Sequence, residues 1–235
     1  MEQSLESLDS LDTIEIQPVV NRFGPTLTLL GGSAALLVIL ALSLVDGLPK
    51  LPFYVMLGGA LFTLLLGILK CNEPKVSLRL CPNYLQFFHK HGQWTLKWED
   101  IQRIDVPKLG ISENYEALNY VGLKLSSHHL ILSNISLRLA RSILLEQRPV
   151  LMQAIKSDCP DGTCPTDLLF EADEFTDEQG EHYNGLLAML GHRMAHLRQM
   201  LGFDLYLPAT ALDRPLEEFV TLLRRYHSQV QQQDA

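Results

Sequence analysis

The chain has 235 residues, of which 47% are hydrophobic, and its formal net charge is −8 at pH 7. The charge changes sign along the sequence, since residues 71–156 contain 11 Lys and Arg against 7 Asp and Glu, whereas residues 157–235 contain 5 against 14. This balance gives no support to nucleic-acid binding, and four cysteines are too few for a disulfide scaffold.

The first element is a polar N-terminal segment. Residues 1–21 are acidic, and we expect a mobile tail there. Within it, Thr13 to Val20 alternates enough to form a strand, and Pro18 confines that strand to the edge of a sheet because proline cannot donate to the hydrogen-bond ladder.

Two charge-free apolar runs follow, at residues 26–45 and 51–69. Twenty helical residues span about 30 Å, the thickness of the hydrocarbon core. The sequence therefore predicts a transmembrane hairpin over residues 22–70. A buried soluble hairpin and a cleaved signal peptide are the alternatives, but the length of both runs and the acidic residues before the first argue against them.

Basic residues flank the hairpin on one side. Arg22 precedes it and Lys70, Lys75 and Arg79 follow it, while the turn carries Lys50 alone. The excess predicts a protein of the cell inner membrane with two spans and cytoplasmic N- and C-termini. No ionisable residue lies within either run, which disfavours a transporter or an intramembrane enzyme.

Small residues share a face on each predicted span, and such faces let helices approach closely in lipid. They predict packing of the hairpin on itself or, as the alternative, a homo-oligomer. The residues concerned are Gly31, Ala35, Gly59, Thr63 and Gly67.

After Pro74 the apolar period becomes two, which indicates a meandering antiparallel sheet. His91-Gly92 is predicted to be a hairpin turn. The predicted strands are Val76 to Leu80, Tyr84 to Lys90, Trp94 to Trp98, Ile101 to Val106, Tyr120 to Leu125 and Leu130 to Leu132.

From Ser136 the period becomes 3.6, which predicts one kinked helix or two helices over residues 136–147 and 149–156, divided at Pro149. A further helix over residues 186–201 is expected to end at Gly202. A strand over 203–207 and a last amphipathic helix, capped by Asp213 and starting near Pro215, complete the chain.

Two stretches carry a family resemblance. TLKWEDIQRIDV (residues 95–106) places Trp and two Ile at a W-x-x-I-x-x-I spacing, and FDLYLPATALDRPLEEFVTLLRRY (residues 203–226) is a strand followed by a helix. The chain resembles bacterial membrane-anchored pleckstrin-homology-like (PH-like) domains. It is also similar to an uncharacterised family of two-span inner-membrane proteins from gammaproteobacteria.

The resemblance implies an α+β cytoplasmic domain over residues 71–235, with a bent antiparallel sheet, a C-terminal helix and a helical insertion at 136–202. It covers residues 76–132 and 203–228, and it implies a scaffold or binding module without catalytic chemistry. No functional residue can be transferred from it.

One candidate site is a lipid interface at the predicted β-hairpin turn, where basic side chains accompany a tryptophan. The alternative is an ordinary hairpin with a buried Trp and solvated Lys. The candidate residues are His89, Lys90, His91, Trp94 and Lys97.

The other candidate site binds zinc. Cys159-x4-Cys164 precedes His192-x3-His196, and two Cys with two His can hold Zn²⁺ tetrahedrally. The alternative is a turn flanked by thiols and two histidines that point to solvent. The acidic run from Glu171 to Glu181 lacks the regular spacing of a calcium loop and is predicted to be a solvated loop.

The sequence contains no G-x-S-x-G, P-loop or G-x-G-x-x-G motif. We therefore expect no enzyme and no cofactor. The leading hypothesis is a membrane-anchored module that engages the bilayer surface or a protein partner of unknown identity. The alternative is a metal-dependent protein.

Overall fold

The chain divides into a hairpin unit, Pro18–Lys75, and a globular unit, Met1–Gln17 with Val76–Ala235. The structure is a computed structural model. It describes residues 13–18, 24–44, 50–71, 74–110, 116–158 and 172–233.

Two long helices form the hairpin unit, α1 (Gly24–Leu44) and α2 (Lys50–Cys71). Both are long and apolar enough to cross a membrane. Large apolar side chains are exposed along them, such as Leu29 (74%) and Phe62 (63%). Such exposure is normal in lipid and costly in water, so these helices fit the two predicted spans.

Glycines allow α1 and α2 to pack closely. A Cβ atom on Gly31 would lie 2.5 Å from the backbone nitrogen of Leu64, and one on Gly67 would lie 2.5 Å from that of Thr28. By contrast, a Cβ atom on Gly59 would meet nothing within 4 Å. Of the five predicted small residues, Gly31 and Gly67 therefore serve the contact within the hairpin, and Ala35 is also buried there.

We expect Gly31→Ala to loosen the hairpin, because the new methyl group would collide with the α2 backbone, at a cost of about 1–3 kcal/mol. The measurement is amide hydrogen exchange of α1 and α2 in detergent micelles. The matched control is Gly58→Ala, which adds the same methyl group into open space. Equal exchange in both variants would contradict this packing.

The globular unit contains eleven strands in its described residues, some only two residues long. They are β1 (Ile14–Ile16), β2 (Leu78–Leu80), β3 (Tyr84–His89), β4 (Gly92–Lys97), β5 (Ile101–Asp105), β6 (Lys108–Leu109), β7 (Glu116–Ala117), β8 (Tyr120–Leu125), β9 (Glu174–Thr176), β10 (His182–Asn184) and β11 (Leu205–Pro208).

These strands form antiparallel sheets. One has the order β1-β2-β3-β4, and another has the order β11-β8-β5. The pairs β6–β7 and β9–β10 are small two-stranded sheets. The prediction of an edge strand before the hairpin is confirmed, since among the described strands β1 pairs only with β2, placing Ile14 opposite Leu80.

Five helices complete the described part of the globular unit. They are α3 (His129–Leu132), α4 (Leu137–Glu146), α5 (Arg148–Asp158), α6 (Leu186–Leu201) and α7 (Leu216–Gln233). Gly202 ends α6 in the left-handed conformation (φ 81°), as predicted. The side chain of Ser136 caps α4 by accepting a hydrogen bond from the Leu139 amide.

Two predictions about secondary structure are wrong. The segment Leu130 to Leu132 is part of helix α3 instead of a strand. The acidic run is not a simple loop, because its residues Glu174–Thr176 form β9, which pairs with β10 (His182–Asn184) directly after the run.

The main core lies between the sheets and α7. Alternate residues of the strands are buried there, and the Trp98 ring, 1% exposed, lies 5.2 Å from the Tyr226 ring on α7. The Trp98 indole also donates a 2.8 Å hydrogen bond to the carbonyl of Cys81. Trp98 therefore links the segment between β4 and β5 to the C-terminal helix.

Candidate functional site

The turn between β3 and β4 is attached to α4. The His89 Nε2 and Glu146 Oε1 atoms are 2.9 Å apart, and the His91 Nδ1 atom lies 3.2 Å from the Ser142 hydroxyl. Burial alone would raise the pKa of Glu146, but the contacts with His89 and Ser142 and the charge of Lys90 together outweigh it and lower that pKa. The turn thus presents Lys90 beside the surface of α4.

The predicted lipid-interface residues divide into two groups. His89, Lys90 and His91 lie together at the turn. Trp94, by contrast, is only 4% exposed, and the exposed Lys97 forms a 3.1 Å ion pair with Glu99. The position of Trp94 agrees with the alternative, in which this tryptophan belongs to the core.

An exposed stripe runs along α4 and α5. Leu137, Arg141 and Leu145 follow one another at intervals of four residues on α4, and Arg148, Met152 and Lys156 do the same on α5. Residues four apart share a helix face. All of these side chains are exposed, as are the adjacent Arg138 and Pro149. We call these eight residues the α4–α5 stripe.

The stripe combines exposed apolar side chains with exposed basic side chains. Leu137 (58% exposed), Leu145 (60%) and Met152 (40%) are the only exposed large hydrophobic residues in the described part of the globular unit. None of its four basic side chains is in an ion pair with another described residue. Sequence reasoning identified the helices but missed this surface, although the four-residue spacing of Leu and Arg was a readable signal.

A second cluster of polar groups lies inside the globular unit around Asp204, whose side chain is 0% exposed. Its Oδ1 atom lies 3.0 Å from the His128 Nε2 atom and accepts a hydrogen bond from Arg198 Nε. Its Oδ2 atom accepts hydrogen bonds from the Leu125 amide (2.7 Å) and from Arg198 Nη2 (2.8 Å). Both carboxylate oxygens of Asp204 are thus fully used within the fold.

The β9–β10 hairpin contacts the cluster around Asp204. The Glu178 Oε1 atom lies 2.6 Å from His128 Nδ1 and 3.4 Å from Arg198 Nη1. Its Oε2 atom accepts a hydrogen bond from the Ser127 hydroxyl. The β9–β10 turn is therefore held against the start of α3 and against α6 by these polar contacts.

His129 makes similar contacts with the β9–β10 hairpin. Its Nδ1 atom lies 3.2 Å from Asp177 Oδ2 and 2.7 Å from the Tyr183 hydroxyl. Burial, followed by the nearby carboxylate of Asp177, raises the pKa of Tyr183 to about 12. The phenol is therefore protonated at neutral pH.

The zinc prediction falls partly outside the described residues, because Cys159 and Cys164 lie there. His192 and His196 have ring centroids 6.2 Å apart on α6. The expectation that they point to solvent is wrong, since both are half-buried and His192 Nε2 donates to the Glu174 carbonyl at 2.9 Å. No group of three or more His, Cys, Asp or Glu able to hold a metal ion occurs among the residues that the structure describes.

These observations define an α+β protein with two helices able to cross a membrane. Residues 78–229 match the model of a family described as Protein of unknown function (DUF2982), and the chain belongs to that family. No curated protein and no solved structure matches the chain. The matched region contains the described strands and helices of the globular unit from β2 to most of α7, including the polar cluster and the α4–α5 stripe.

Proposed function

We propose that this protein is a non-enzymatic binding module anchored in the cell inner membrane, with its globular unit at the cytoplasmic surface. There the unit engages the membrane surface or a protein partner. The observation that carries the proposal is the pairing of β1 with β2, because these strands precede and follow the hairpin and hydrogen-bond to each other.

The pairing of β1 with β2 constrains how the chain crosses the membrane. A chain that enters and leaves a bilayer through two spans has both ends on one side, and a sheet containing both flanking strands requires that arrangement. Only residues 72–77 separate α2 from β2, and six extended residues reach about 20 Å at most. The globular unit is thereby held close to the bilayer, and the basic residues flanking the hairpin favour the cytoplasmic side.

The order of elements supports the PH-like resemblance. A four-stranded antiparallel meander is followed by a three-stranded sheet and then by the C-terminal helix α7. Between β8 and β11 the chain adds α4, α5, the β9–β10 hairpin and α6, which correspond to the predicted insertion. A fold of this kind serves as a scaffold for binding surfaces.

The non-enzymatic part of the proposal is supported by the polar cluster. Its charged groups bond to one another and to the backbone, and Asp204 uses both oxygens in doing so. Groups committed in this way stabilise the fold and are not free to act on a substrate.

The test is fractionation of cells that express the full-length chain, followed by cross-linking in intact cells. We expect the protein to stay in the membrane pellet after an alkaline carbonate wash and to leave it only with detergent. Release by carbonate would contradict the anchor. Stoichiometric zinc in the purified protein, lost in Cys159→Ser, would favour the metal-dependent alternative instead.

A further inference from the structure

We infer that the α4–α5 stripe docks on the anionic headgroups of the membrane that holds the chain. This inference rests on the proposed function and specifies the binding surface and the ligand class. The ligand is a lipid surface carrying negative charge, such as one containing phosphatidylglycerol.

Helical geometry makes the stripe continuous. A helix turns by about 100° per residue, so Leu137, Arg141 and Leu145 lie within one sector of α4. Gln147, the single residue between the helices, has right-handed helical dihedrals (φ −85°, ψ −5°), and the Leu151 amide donates to its carbonyl. The phase therefore continues into α5, where Arg148, Met152 and Lys156 fall in the same sector.

The opposite face of both helices is already occupied. Leu139, Ala140, Ile143 and Leu144 of α4 are buried, as are Val150, Leu151, Ala154 and Ile155 of α5. One face of each helix is therefore packed within the fold, and the opposite face is exposed. That remaining face contains all the exposed large hydrophobic residues of the described globular unit.

The chemistry of the stripe fits a lipid interface. Helices that lie on membranes combine Leu-rich apolar groups with Lys and Arg, whose long stems pack on the apolar boundary while their charges reach the headgroups. The stripe has four basic groups that form no ion pair with another described residue, and Lys90 of the attached β3–β4 turn adds a fifth nearby. Glu146, the acidic side chain at its margin, is paired with His89.

Proximity favours lipid over a separate protein. The short connection to α2 keeps the globular unit within reach of the bilayer at all times, so docking is intramolecular and needs little intrinsic affinity. Each Lys or Arg near an anionic surface contributes about a five-fold gain in binding. Removal of three arginines should therefore lower the ratio of docked to free stripe by about 100-fold.

The test uses the full-length chain, carrying Leu145→Trp, reconstituted in vesicles of phosphatidylcholine with and without brominated phosphatidylglycerol. The native Trp94 and Trp98 are 4% and 1% exposed, so a bromine-dependent loss of fluorescence reports the new side chain. We expect strong quenching with phosphatidylglycerol and its loss in high salt. Thr221→Trp, at an exposed position on α7, serves as the control position.

The need for basic charge on the stripe is tested by adding three substitutions to the Leu145→Trp chain: Arg138→Gln, Arg141→Gln and Arg148→Gln. Together they should abolish the quenching. The charge-matched control removes basic groups elsewhere, through Lys108→Gln, Lys124→Gln and Arg225→Gln, and should leave quenching unchanged. Met152→Trp gives an independent reading at the second helix.

The outcomes separate the two proposals. Co-flotation of the protein with the vesicles without quenching at either Trp position would overturn lipid docking and leave the anchor intact. Failure to co-float would overturn the proposed function itself. Equal loss of quenching in both charge sets, or capture of the stripe by an acidic protein without quenching, would also refute lipid docking.

Discussion

Asp204→Ala is expected to destabilise the globular unit by about 3–5 kcal/mol, because it removes a fully buried carboxylate and leaves the Arg198 charge without this partner. Arg198 loses two hydrogen bonds, His128 loses its contact at Nε2, and the Leu125 amide is left without its 2.7 Å acceptor. The measurement is urea unfolding of the full-length protein in detergent, followed by tryptophan fluorescence.

The matched control is Glu99→Ala, which removes an ion pair with Lys97 on the exposed surface. Exposed pairs contribute about 0–1 kcal/mol, so this variant should unfold almost as the parent protein does. Similar losses in both variants would show that the cluster around Asp204 does not hold the fold together.

Acid should weaken the same cluster. Burial alone would raise the pKa of Asp204, but hydrogen bonds from His128 and Arg198 outweigh it and lower that pKa in the folded state. A depressed pKa means that this stabilisation is complete above the ordinary Asp value of about 3.9 and is lost as the pH falls through the folded value. In Asp204→Asn, stability should depend less on pH in this acid range than it does in the parent protein.

Trp98→Ala is expected to produce the second large effect. It should lower the free energy of unfolding by about 3–5 kcal/mol, because it leaves a cavity between α7 and the segment that joins β4 to β5. Trp98 is 1% exposed and contacts the Tyr226 ring, and its indole N–H satisfies the Cys81 carbonyl. The measurement is thermal unfolding followed by circular dichroism.

Trp98→Phe provides the graded control for this prediction. It keeps an aromatic ring in the site but removes the indole hydrogen bond to the Cys81 carbonyl, which still accepts a 3.3 Å hydrogen bond from the Tyr84 amide. The expected cost is therefore that of one hydrogen bond, about 0.5–1.5 kcal/mol. The expected order of melting temperature is parent, Phe variant, Ala variant. An Ala variant that melts within a degree or two of the parent would show that Trp98 is not central to this core.

The elements that follow local rules could be predicted from the sequence. Charge-free runs of membrane-spanning length indicated α1 and α2, and period-two alternation indicated β2 to β5. Gly202 marked the end of α6, because a left-handed residue is the common way to close a helix. In each case the signal and the element occupy the same short stretch of chain.

The elements that depend on distant partners could not be predicted in this way. Glu178 binds His128 from 50 residues away, and Asp204 binds it from 76 residues away. An acidic segment read alone suggests a solvated loop, and only the folded chain places cations against it. The same reason applies to His192, whose partner is a carbonyl on the neighbouring hairpin.

The most direct measurement places fluorescent and phosphatase reporters at both ends of the chain in living cells, one before Met1 and one after Ala235. Two crossings combined with the β1–β2 pairing predict that both ends report the cytosol, with fluorescence at each and phosphatase activity at neither. Opposite signals from the two ends would contradict a two-span anchor, and phosphatase activity at both would place the globular unit on the other side of the membrane.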